Sequence, residues 1–274
     1  MSTQRMETSM KPVTVRTLQD MKLRGDKIVC LTAYDASFAA LLDEAEIDVV
    51  LVGDSLGMVV QGEVSTLPVT VDHIIYHGRA VARACKRAMI MADMPFMSYA
   101  TPEQALVSAA RLMQEGGAHM VKLEGTANQE NIVRRLSDCG IPVCAHLGLR
   151  PQFVHKLGGY RVQGREQDGA AALLRDATHL EQAGADALLL ECVPSILAQE
   201  ITANVRIPVI GIGAGNGCDG QVLVLYDMLG VTPGKRPRFS KDFLAGGNTV
   251  RDAVESFRRD VKSGVFPSAE HAFQ

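Results

Sequence analysis

The stretch VVLVGD at residues 49–54 places four aliphatic residues directly in front of a glycine and a carboxylate. Apolar residues at every strand position are typical of a parallel sheet that is covered on both faces. ALLL at 187–190, which Glu191 follows, has the same pattern. Runs of this kind predict strands over residues 28–33, 48–53, 88–92, 119–123, 141–145, 185–190, 207–212 and 221–225. For any single run the alternative is a buried helical segment, because so short a run has no decisive period.

Longer segments with helical spacing separate these runs. From Thr101 the chain has an N-cap residue, a proline at the first helical position and an apolar stripe that ends at Gly116. Similar patterns predict helices over residues 38–45, 71–87, 128–137, 169–183, 194–203 and 249–262. Regular alternation of strand and helix is typical of right-handed βαβ units. Eight such units favour closure, so the predicted fold class is α/β and the architecture is a (β/α)₈ barrel of the TIM type.

The chain of 274 residues is long enough for one barrel or for two smaller domains. Because no low-complexity linker divides it, we predict a flexible N-terminal segment at residues 1–12 and a single barrel domain at 13–274. A C-terminal helical extension completes that domain, after a basic, turn-rich stretch at 233–238. Apolar spacing between residues 15 and 23 predicts a short helix at the bottom of the barrel.

The composition excludes several functional classes. Lys and Arg number 28 against 31 Asp and Glu, and the net charge of −3 argues against a nucleic-acid or anionic-membrane binder. No apolar run reaches the roughly 18 residues of a membrane helix. The six cysteines form no C-x-x-C pair, and no apolar signal-peptide core follows Met1. We therefore expect a globular protein in the reducing cytoplasm.

Polar residues follow the predicted strands at the end where a barrel of this kind holds its chemistry. These residues are Tyr34, Asp54, Ser55, Asp93, Lys122, Glu124, His146 and Glu191. An acidic residue after a strand can also cap the next helix, which is the favoured interpretation for Asp35 in front of Phe38. Capping explains Asp54 and Asp93 poorly, because the next predicted helices begin well after them.

Carboxylates that share one rim repel one another unless a cation lies among them. Asp54, Asp93 and Glu124 offer hard oxygen ligands, which predicts a Mg²⁺ site. Lys122 lies two residues before Glu124 and faces the same side of its strand, so it can hold a substrate carboxylate. An ion pair with one of the acids is the alternative role for Lys122. Glu191 is flanked by apolar residues, where an unpaired carboxylate is costly.

Two further segments carry signals of function. The connection at 147–168 is long for a compact domain, and such segments form lids or interfaces. Its Arg150, Phe153 and Tyr160 suit an anionic aromatic ligand, and an oligomer contact is an equal alternative. GIGAGNG at 211–217 lacks the spacing of a dinucleotide site, so we interpret it as a backbone-lined loop near substrate or cofactor.

Seven strings in chain order closely resemble those of the ketopantoate hydroxymethyltransferase family. They are LTAYD at 31–35, VGDSLG at 52–57, ADMPF at 92–96, VKLEG at 121–125, AHLGL at 145–149, LECVP at 190–194 and GIGAG at 211–215. The likeness runs from about residue 13 to residue 243, without substitution at the family's functional positions.

The resemblance implies a barrel of the phosphoenolpyruvate/pyruvate type, which assembles as a homodecamer in many members. It also implies transfer of a hydroxymethyl group from 5,10-methylenetetrahydrofolate to 3-methyl-2-oxobutanoate (α-ketoisovalerate). The product is 2-dehydropantoate, and the reaction is the first committed step of pantothenate and coenzyme A biosynthesis. The implied cofactor is Mg²⁺, with the folate as co-substrate.

The resemblance also implies roles for individual residues. Those that correspond to the family's Mg²⁺ site are Asp54, Asp93 and Glu124. Those that correspond to contacts with the keto acid are Asp54, Ser55, Asp93 and Lys122. Glu191 corresponds to the proton acceptor, and Tyr34 and His146 are expected to orient the substrate or its contacts.

Two other classes of protein use a comparable barrel. One is a Mg²⁺-dependent lyase or mutase that acts on a 2-oxo acid, but the Cys-Gly-His motif of isocitrate lyases is absent from this sequence. The other is a scaffold that has lost catalysis, and the presence of Lys122, Glu191 and the three acids argues against it. Metal-dependent turnover separates an enzyme from a scaffold.

Overall fold

Eight parallel strands pair in chain order and close into a barrel, so that the first strand lies beside the last. The computed structural model describes residues 11–232, 234, 236–247 and 249–274. The strands are β1 Ile28–Thr32, β2 Val49–Val52, β3 Met89–Asp93, β4 Met120–Glu124, β5 Val143–Gly148, β6 Ala187–Glu191, β7 Val209–Ile212 and β8 Gly220–Leu223. Each predicted run overlaps one strand, and the predicted (β/α)₈ barrel is confirmed.

Helices connect successive strands and cover the barrel. The α-helices are α1 Val15–Arg24, α2 Ala36–Glu44, α3 Leu56–Val59, α4 Val71–Ala84, α5 Pro102–Gln114, α6 Glu130–Asp138, α7 Val154–Leu157, α8 Gln167–Gln182, α9 Ser195–Asn204, α10 Leu225–Met228 and α11 Val250–Lys262. The 3₁₀ helices are Ala127–Gln129, Pro151–Phe153 and Ala269–His271. Within the described ranges, no helix combines the length and the hydropathy that crossing a bilayer requires.

The boundaries differ from the sequence prediction at a few places. The one-turn helices α3, α7 and α10 escape prediction, because a single turn carries no apolar period. Helix α2 begins at Ala36, two residues early, because the Asp35 side chain accepts hydrogen bonds from the N–H groups of Ser37 and Phe38. The capping interpretation of Asp35 is therefore confirmed. Strand β8 ends at Leu223, two residues early, because α10 follows almost at once.

Helix α1 lies at the N-terminal end of the barrel, as its position in the sequence predicts. Lys22 Nζ is 2.7 Å from Asp219 Oδ2, in the turn that leads into β8. Leu18 and Met21 are buried in the core, whereas Leu23, which has the same apolar spacing, is 79% exposed. One residue of the predicted apolar stripe, Leu23, therefore faces solvent.

The flanks of the barrel are described in part. The predicted flexible segment at 1–12 lies outside the described residues except at its last two positions, and the basic stretch at 233–238 is described only in part. The predicted final helix is present as α11. Its Phe257 packs edge-to-face against Phe243 at 5.4 Å and Phe266 at 5.8 Å between ring centroids. This aromatic cluster packs α11 against the segments that precede and follow it.

Asp48 joins three parts of the fold just before β2. Its Oδ1 accepts a hydrogen bond from Arg87 Nη2 at 2.9 Å, and its Oδ2 accepts one from Val29 N at 3.0 Å. Lys262 Nζ, at the end of α11, is 2.6 Å from the same Oδ2. The Asp48 carboxylate is buried, so these donors replace the water that it loses on folding.

Replacing Asp48 with alanine should therefore leave Arg87 and Lys262 without their shared partner. We expect Asp48→Ala to lower the free energy of unfolding by about 3 kcal/mol, the range for breaking a buried ion pair. Urea denaturation followed by circular dichroism measures the change. Asp20→Ala, which breaks an exposed pair with Arg16, is the control and should cost about 0.5 kcal/mol. Equal losses in the two variants would contradict the anchoring role of Asp48.

Candidate active site

Six of the predicted site residues meet at the C-terminal ends of the strands in a group that we call the mouth cluster. It consists of Asp54, Asp93, Lys122, Glu124, His146 and Glu191. Strands β3, β4 and β6 each end on one of these acids. The parallel register places Asp93 beside Lys122 and Glu124 beside His146, so these side chains share one face of the sheet. The predicted convergence of acids on one rim is thus present in the fold.

Lys122 carries a buried positive charge in the mouth cluster. Its Nζ lies 2.8 Å from Asp93 Oδ1 and 3.4 Å from His146 Nδ1. Burial disfavours the ammonium form, but the charges of Asp93, Glu124 and Asp54 outweigh it and raise the pKa of Lys122. The side chain therefore stays protonated at neutral pH. The ion pair considered as its alternative role is present.

Asp93 holds the start of the segment that follows β2. Its Oδ2 accepts a hydrogen bond from the backbone N–H of Asp54 at 2.9 Å. The next helix, α3, begins directly after Ser55 and so earlier than predicted, but no side chain caps it, as expected for Asp54. The Asp54 carboxylate instead accepts a hydrogen bond from Gln152 Nε2 at 2.8 Å. Burial and the neighbouring Asp93 charge raise the pKa of Asp54 to about 7.

Ser55 and Tyr34 lie at the edge of the mouth cluster. The Tyr34 hydroxyl and Ser55 Oγ share a hydrogen bond of 2.8 Å, and the carbonyl of Tyr34 is 2.7 Å from His77 Nδ1. Tyr34 is buried, and burial raises its pKa, so the phenol remains a neutral donor or acceptor. The structure thus brings both predicted residues to the same mouth, with Tyr34 fixing the position of the Ser55 hydroxyl.

His146 lies between two acids of the mouth cluster. Its Nδ1 is 3.7 Å from Glu124 Oε1, and its Nε2 is 3.4 Å from Glu191 Oε2. Burial, with the positive charges of Lys122 and Arg150, lowers the pKa of His146 well below its usual value. The imidazole is therefore neutral at pH 7 and does not balance the charge of the neighbouring acids.

Glu191 is the most accessible acid of the mouth cluster, with 16% of its side chain exposed. Burial raises its pKa to about 8, with Asp54 and Asp93 adding to the shift against the opposing charge of Lys122. Glu124 behaves similarly, because burial and the charge of Asp54 raise its pKa. Carboxyl groups with raised pKa values are candidates for proton transfer.

The backbone at Glu191 is held tightly by its neighbours. Its carbonyl accepts a hydrogen bond from Leu149 N at 2.8 Å. Gly148 has φ 91°, and a Cβ atom there would lie 2.2 Å from the Glu191 carbonyl oxygen. Cys192 has φ 49°, in the left-handed region that L-residues rarely adopt. The end of β6 is thus a constrained platform for the Glu191 side chain.

Two buried residues of the site are missing from the sequence prediction. Gln152 donates to Asp54, and its own carbonyl oxygen accepts a hydrogen bond from the Tyr99 hydroxyl at 2.5 Å. The Tyr99 hydroxyl also lies 3.2 Å from the backbone N of Glu124. No sequence signal marks either residue, because both lie between the predicted strands and helices and far along the chain from the acids that they contact.

The mouth cluster holds an excess of negative charge. Asp54, Asp93, Glu124 and Glu191 are balanced in the described part of the mouth by Lys122 and, at longer range, by the half-buried Arg150. Burial is the main cause of the raised pKa values of Asp54, Glu124 and Glu191, and the excess of negative charge adds to it. Asp93 Oδ1, although close to Lys122, has no aligned hydrogen-bond donor among the described residues. The carboxylate oxygens of the mouth cluster fit a hard divalent cation. Its charge would replace the protons that the raised pKa values place on these acids.

The carboxylates do not form a complete metal site by themselves. Across residues 11–232, 234, 236–247 and 249–274, no three His, Cys, Asp or Glu side chains stand in the arrangement of a ready-made metal group. Mg²⁺ commonly binds through one or two carboxylates and takes its remaining ligands from water and substrate. The Mg²⁺ site at Asp54, Asp93 and Glu124 stays a prediction, in which water and substrate would supply the remaining ligands.

The segment at 147–168 is more ordered than its sequence suggests. It contains the Pro151–Phe153 helix and α7, and the Arg150 guanidinium lies 4.3 Å from the centre of the Phe153 ring. Tyr160 reaches across to the connection after β2, where its hydroxyl lies 3.8 Å from Met58 Sδ. The segment therefore spans part of the mouth, and its role as a lid or as an oligomer contact stays a prediction.

The glycine-rich loop at 211–217 packs against protein. A Cβ atom at Gly213 would lie 3.1 Å from both the Phe239 and Phe273 rings, and one at Gly215 would lie 2.6 Å from Ser195 Cβ. The glycines therefore make room for neighbouring side chains. This packing explains them without the substrate or cofactor contact that the sequence suggested.

Solved structures share this architecture. A phosphoenolpyruvate phosphomutase from Streptomyces platensis subsp. rosaceus aligns with a TM-score of 0.61 and 13% identity, covering 92% of this chain and 88% of that one. Phosphonopyruvate hydrolase in complex with oxalate and Mg²⁺ aligns with a TM-score of 0.59 and 11% identity, covering 94% and 92%. These alignments show that the chain shares the closed (β/α)₈ barrel fold of those proteins.

Sequence comparison narrows that class. The family model for ketopantoate hydroxymethyltransferase matches residues 12–269. A 3-methyl-2-oxobutanoate hydroxymethyltransferase from Alkalilimnicola ehrlichii is 61% identical over 263 residues, which cover 96% of this chain and 95% of that protein. The chain belongs to the ketopantoate hydroxymethyltransferase family, and the resemblance of its motifs is confirmed.

The raised pKa of Glu191 predicts a pH-dependent stability in the absence of metal. Between its unfolded pKa near 4.3 and its folded pKa of about 8, the folded state holds a proton that the unfolded state has lost. The free energy of unfolding should therefore fall as pH rises through this window. Glu191→Gln removes that contribution, so its profile should be shallower by about 1.4 kcal/mol per pH unit.

Urea unfolding at pH 5.5, 6.5 and 7.5, with a chelator present, measures both profiles. The difference in stability should move steadily in favour of the Gln variant as the pH rises. Parallel profiles would show that Glu191 titrates at an ordinary pH in the folded protein.

Proposed function

We propose that this protein transfers the methylene carbon of 5,10-methylenetetrahydrofolate to C3 of 3-methyl-2-oxobutanoate as a hydroxymethyl group. Water supplies the hydroxyl oxygen, tetrahydrofolate leaves, and the product is 2-dehydropantoate. The reaction would be the first committed step of pantothenate and coenzyme A biosynthesis. The observation that carries the proposal is Glu191, a carboxyl group of raised pKa on the same rim as Lys122. Membership of the ketopantoate hydroxymethyltransferase family supports the same reaction.

The mouth can bind a 2-oxo acid through its charged and hydroxyl groups. The buried Lys122 ammonium neutralises the substrate carboxylate, an interaction strengthened by exclusion of water. The Ser55 hydroxyl, held by Tyr34, donates a hydrogen bond to an oxygen of the same anion. Asp54 and Asp93 border this position and are the other proposed substrate contacts, either directly or through the cation that they would hold.

The residues that would hold Mg²⁺ are Asp54, Asp93 and Glu124, whose oxygens suit a hard cation. When bound, Mg²⁺ supplies Lewis-acid polarisation of the 2-oxo group, which favours loss of the adjacent C3 proton. Phosphonopyruvate hydrolase, which has the same fold, was solved in complex with oxalate and Mg²⁺, and this supports the proposal of a metal in the present barrel.

Glu191 accepts the C3 proton in the proposed mechanism. A carboxylate whose conjugate acid has a pKa of about 8 is a stronger base than an ordinary glutamate. A cation bound beside Glu191 would lower this pKa, because an opposite charge nearby favours the ionised form. The carboxylate would then be ionised near pH 7. The Nε2 atom of the neutral His146 ring lies 3.4 Å from Glu191 Oε2 without an aligned hydrogen bond, so His146 is proposed to orient Glu191 by packing and adds no charge. The resulting enolate of the keto acid then attacks the methylene carbon of the folate.

The segment at 147–168 is the proposed folate side of the site. Arg150 and Phe153 stack within it, and Tyr160 spans the mouth, which offers positive and aromatic groups to an anionic pterin cofactor. The proposed partners are therefore small molecules, with neither nucleic acid nor membrane. By likeness to the family, we also propose a homodecamer in the cytoplasm.

Proton exchange at C3 tests the first half of the reaction. The protein is incubated with 3-methyl-2-oxobutanoate and Mg²⁺ in D₂O, and the C3 proton is followed by NMR with and without a chelator. Metal-dependent loss of that signal is expected, either directly or after tetrahydrofolate is added. Absence of exchange under both conditions would reject this keto acid as the substrate.

Glu191→Gln should reduce exchange and turnover by about 10² to 10⁴, the usual contribution of general acid–base catalysis. Binding of Mg²⁺ and of the keto acid, measured by calorimetry, should change little, because the amide keeps the shape of the side chain. The control is Glu103→Gln on the exposed face of α5, which should exchange at the wild-type rate. Near-normal exchange by Glu191→Gln would remove it as the base.

Asp93→Asn tests the proposed cation site. The substitution removes one negative charge and the partner of Lys122, so we expect divalent-ion affinity and turnover to fall together, by about tenfold or more. Titration with Mn²⁺ followed by electron paramagnetic resonance measures the affinity. Asp72→Asn, at an exposed pair with Arg111, serves as the control. Unchanged Mn²⁺ affinity in Asp93→Asn would exclude Asp93 as a ligand.

A further inference from the structure

We propose that Gln152 is a positioning residue that holds Asp54 and Glu124 in the geometry of the cation site. In the same role it joins the segment after β5 to the mouth cluster. This inference rests on the proposed function, because it assigns Asp54 and Glu124 to a cation. Gln152 lies in the Pro151–Phe153 helix, and only 4% of its surface is exposed.

The side-chain amide of Gln152 is fully used. Nε2 donates to Asp54 Oδ2 at 2.8 Å and to the Met94 carbonyl at 3.0 Å. Oε1 accepts from the Tyr99 hydroxyl at 2.5 Å. The orientation of the amide follows from these partners, because a carboxylate and a carbonyl can only accept hydrogen bonds.

The backbone of Gln152 and the Tyr99 hydroxyl extend the network to β4. The N–H of Gln152 donates to Glu124 Oε2 at 3.0 Å, and the N–H of Glu124 donates to the Tyr99 oxygen at 3.2 Å. A single glutamine therefore contacts two acids, Asp54 just after β2 and Glu124 at the end of β4. The network connects the end of β2, the connection after β3, the end of β4 and the segment after β5.

A neutral donor is the side chain that this position requires. The Asp54 carboxylate already lies beside Asp93 in a negatively charged group, and a second acid at 152 would add repulsion. An aliphatic side chain of the same size would remove a donor from Asp54 and from the Met94 carbonyl, and would leave the Tyr99 hydroxyl without its acceptor. Glutamine satisfies all three without changing the charge of the mouth.

The segment after β5 and the cation site are consequently ordered together. Both acids accept a hydrogen bond from Gln152, so any displacement of the segment would remove a donor from each of them. Groups that orient metal ligands in this way typically contribute 10- to 100-fold to metal affinity. Gln152 acts through the ligands and need not touch the keto acid.

Gln152→Leu tests this role in the full-length protein. We expect the Kd for Mn²⁺, measured by electron paramagnetic resonance without substrate, to rise about 10- to 100-fold. Hydrogen–deuterium exchange of the amides at 151–157 should also quicken. The matched control is Gln104→Leu, since Gln104 also bridges backbone groups, at Met97 and Ala100, but on the exposed surface. The control should retain wild-type Mn²⁺ affinity and exchange at 151–157.

Tyr99→Phe provides a milder test, because it removes one hydroxyl and keeps the ring. Its Mn²⁺ affinity should fall roughly 5-fold, the effect of one neutral hydrogen bond. Combined with Gln152→Leu, its effect should be smaller than the product of the two, because both act in one network.

The outcomes separate this inference from the proposed function. Wild-type affinity in both Gln152→Leu and Tyr99→Phe overturns the positioning role and leaves the hydroxymethyltransferase proposal intact. A wild-type protein that binds no Mn²⁺ overturns both the cation site and the role of Gln152. Weaker binding in the two variants, with an unchanged control, supports the inference even if the C3 exchange experiment fails.

Discussion

The confinement of four carboxyl groups at one rim of a closed barrel governs the rest of this site. Parallel strands end on the same side, so Asp93, Glu124 and Glu191 are brought together although dozens of residues separate them along the chain. Out of water, their charges must be met by protons, by Lys122 or by an added cation. The high pKa of Glu191 and the tight pairing of Lys122 with Asp93 are two results of the same imbalance. The proposed affinity for a metal and the proposed role of Glu191 as a base therefore rest on the same physical feature, the burial of several acids at one rim.

Stability and chemistry are separated along the barrel axis. At the N-terminal end, Asp48 collects a backbone N–H, Arg87 and Lys262 into a group whose charges are matched. At the other end, charges are left unmatched and the backbone is constrained next to Glu191. The two ends share the same strands. The matched charges at the N-terminal end can therefore offset the unfavourable charges at the mouth before ligands bind.

The sequence predicts those parts of the molecule that follow from a local pattern. Apolar runs locate the strands, and the polar residue after each run locates the rim, which is how Asp54 and Glu191 can be identified without a structure. Asp35 is predicted equally well, because a cap contacts residues two and three positions away. Gln152 and Tyr99 are not predictable in this way. Their contacts join distant connections, and nothing in their neighbourhood distinguishes them from ordinary loop residues.

Gly148 shows how closely the site limits change in this barrel. The residue has no side chain, yet any Cβ there would run into the carbonyl of Glu191, which is part of the backbone and cannot rotate away. Replacing it would push β5 and β6 apart and carry the Glu191 carboxylate with them. For a protein engineer who wishes to widen the pocket or change its substrate, position 148 is a fixed point. Substitutions have to be introduced in the rest of the segment at 147–168, where side chains border the mouth.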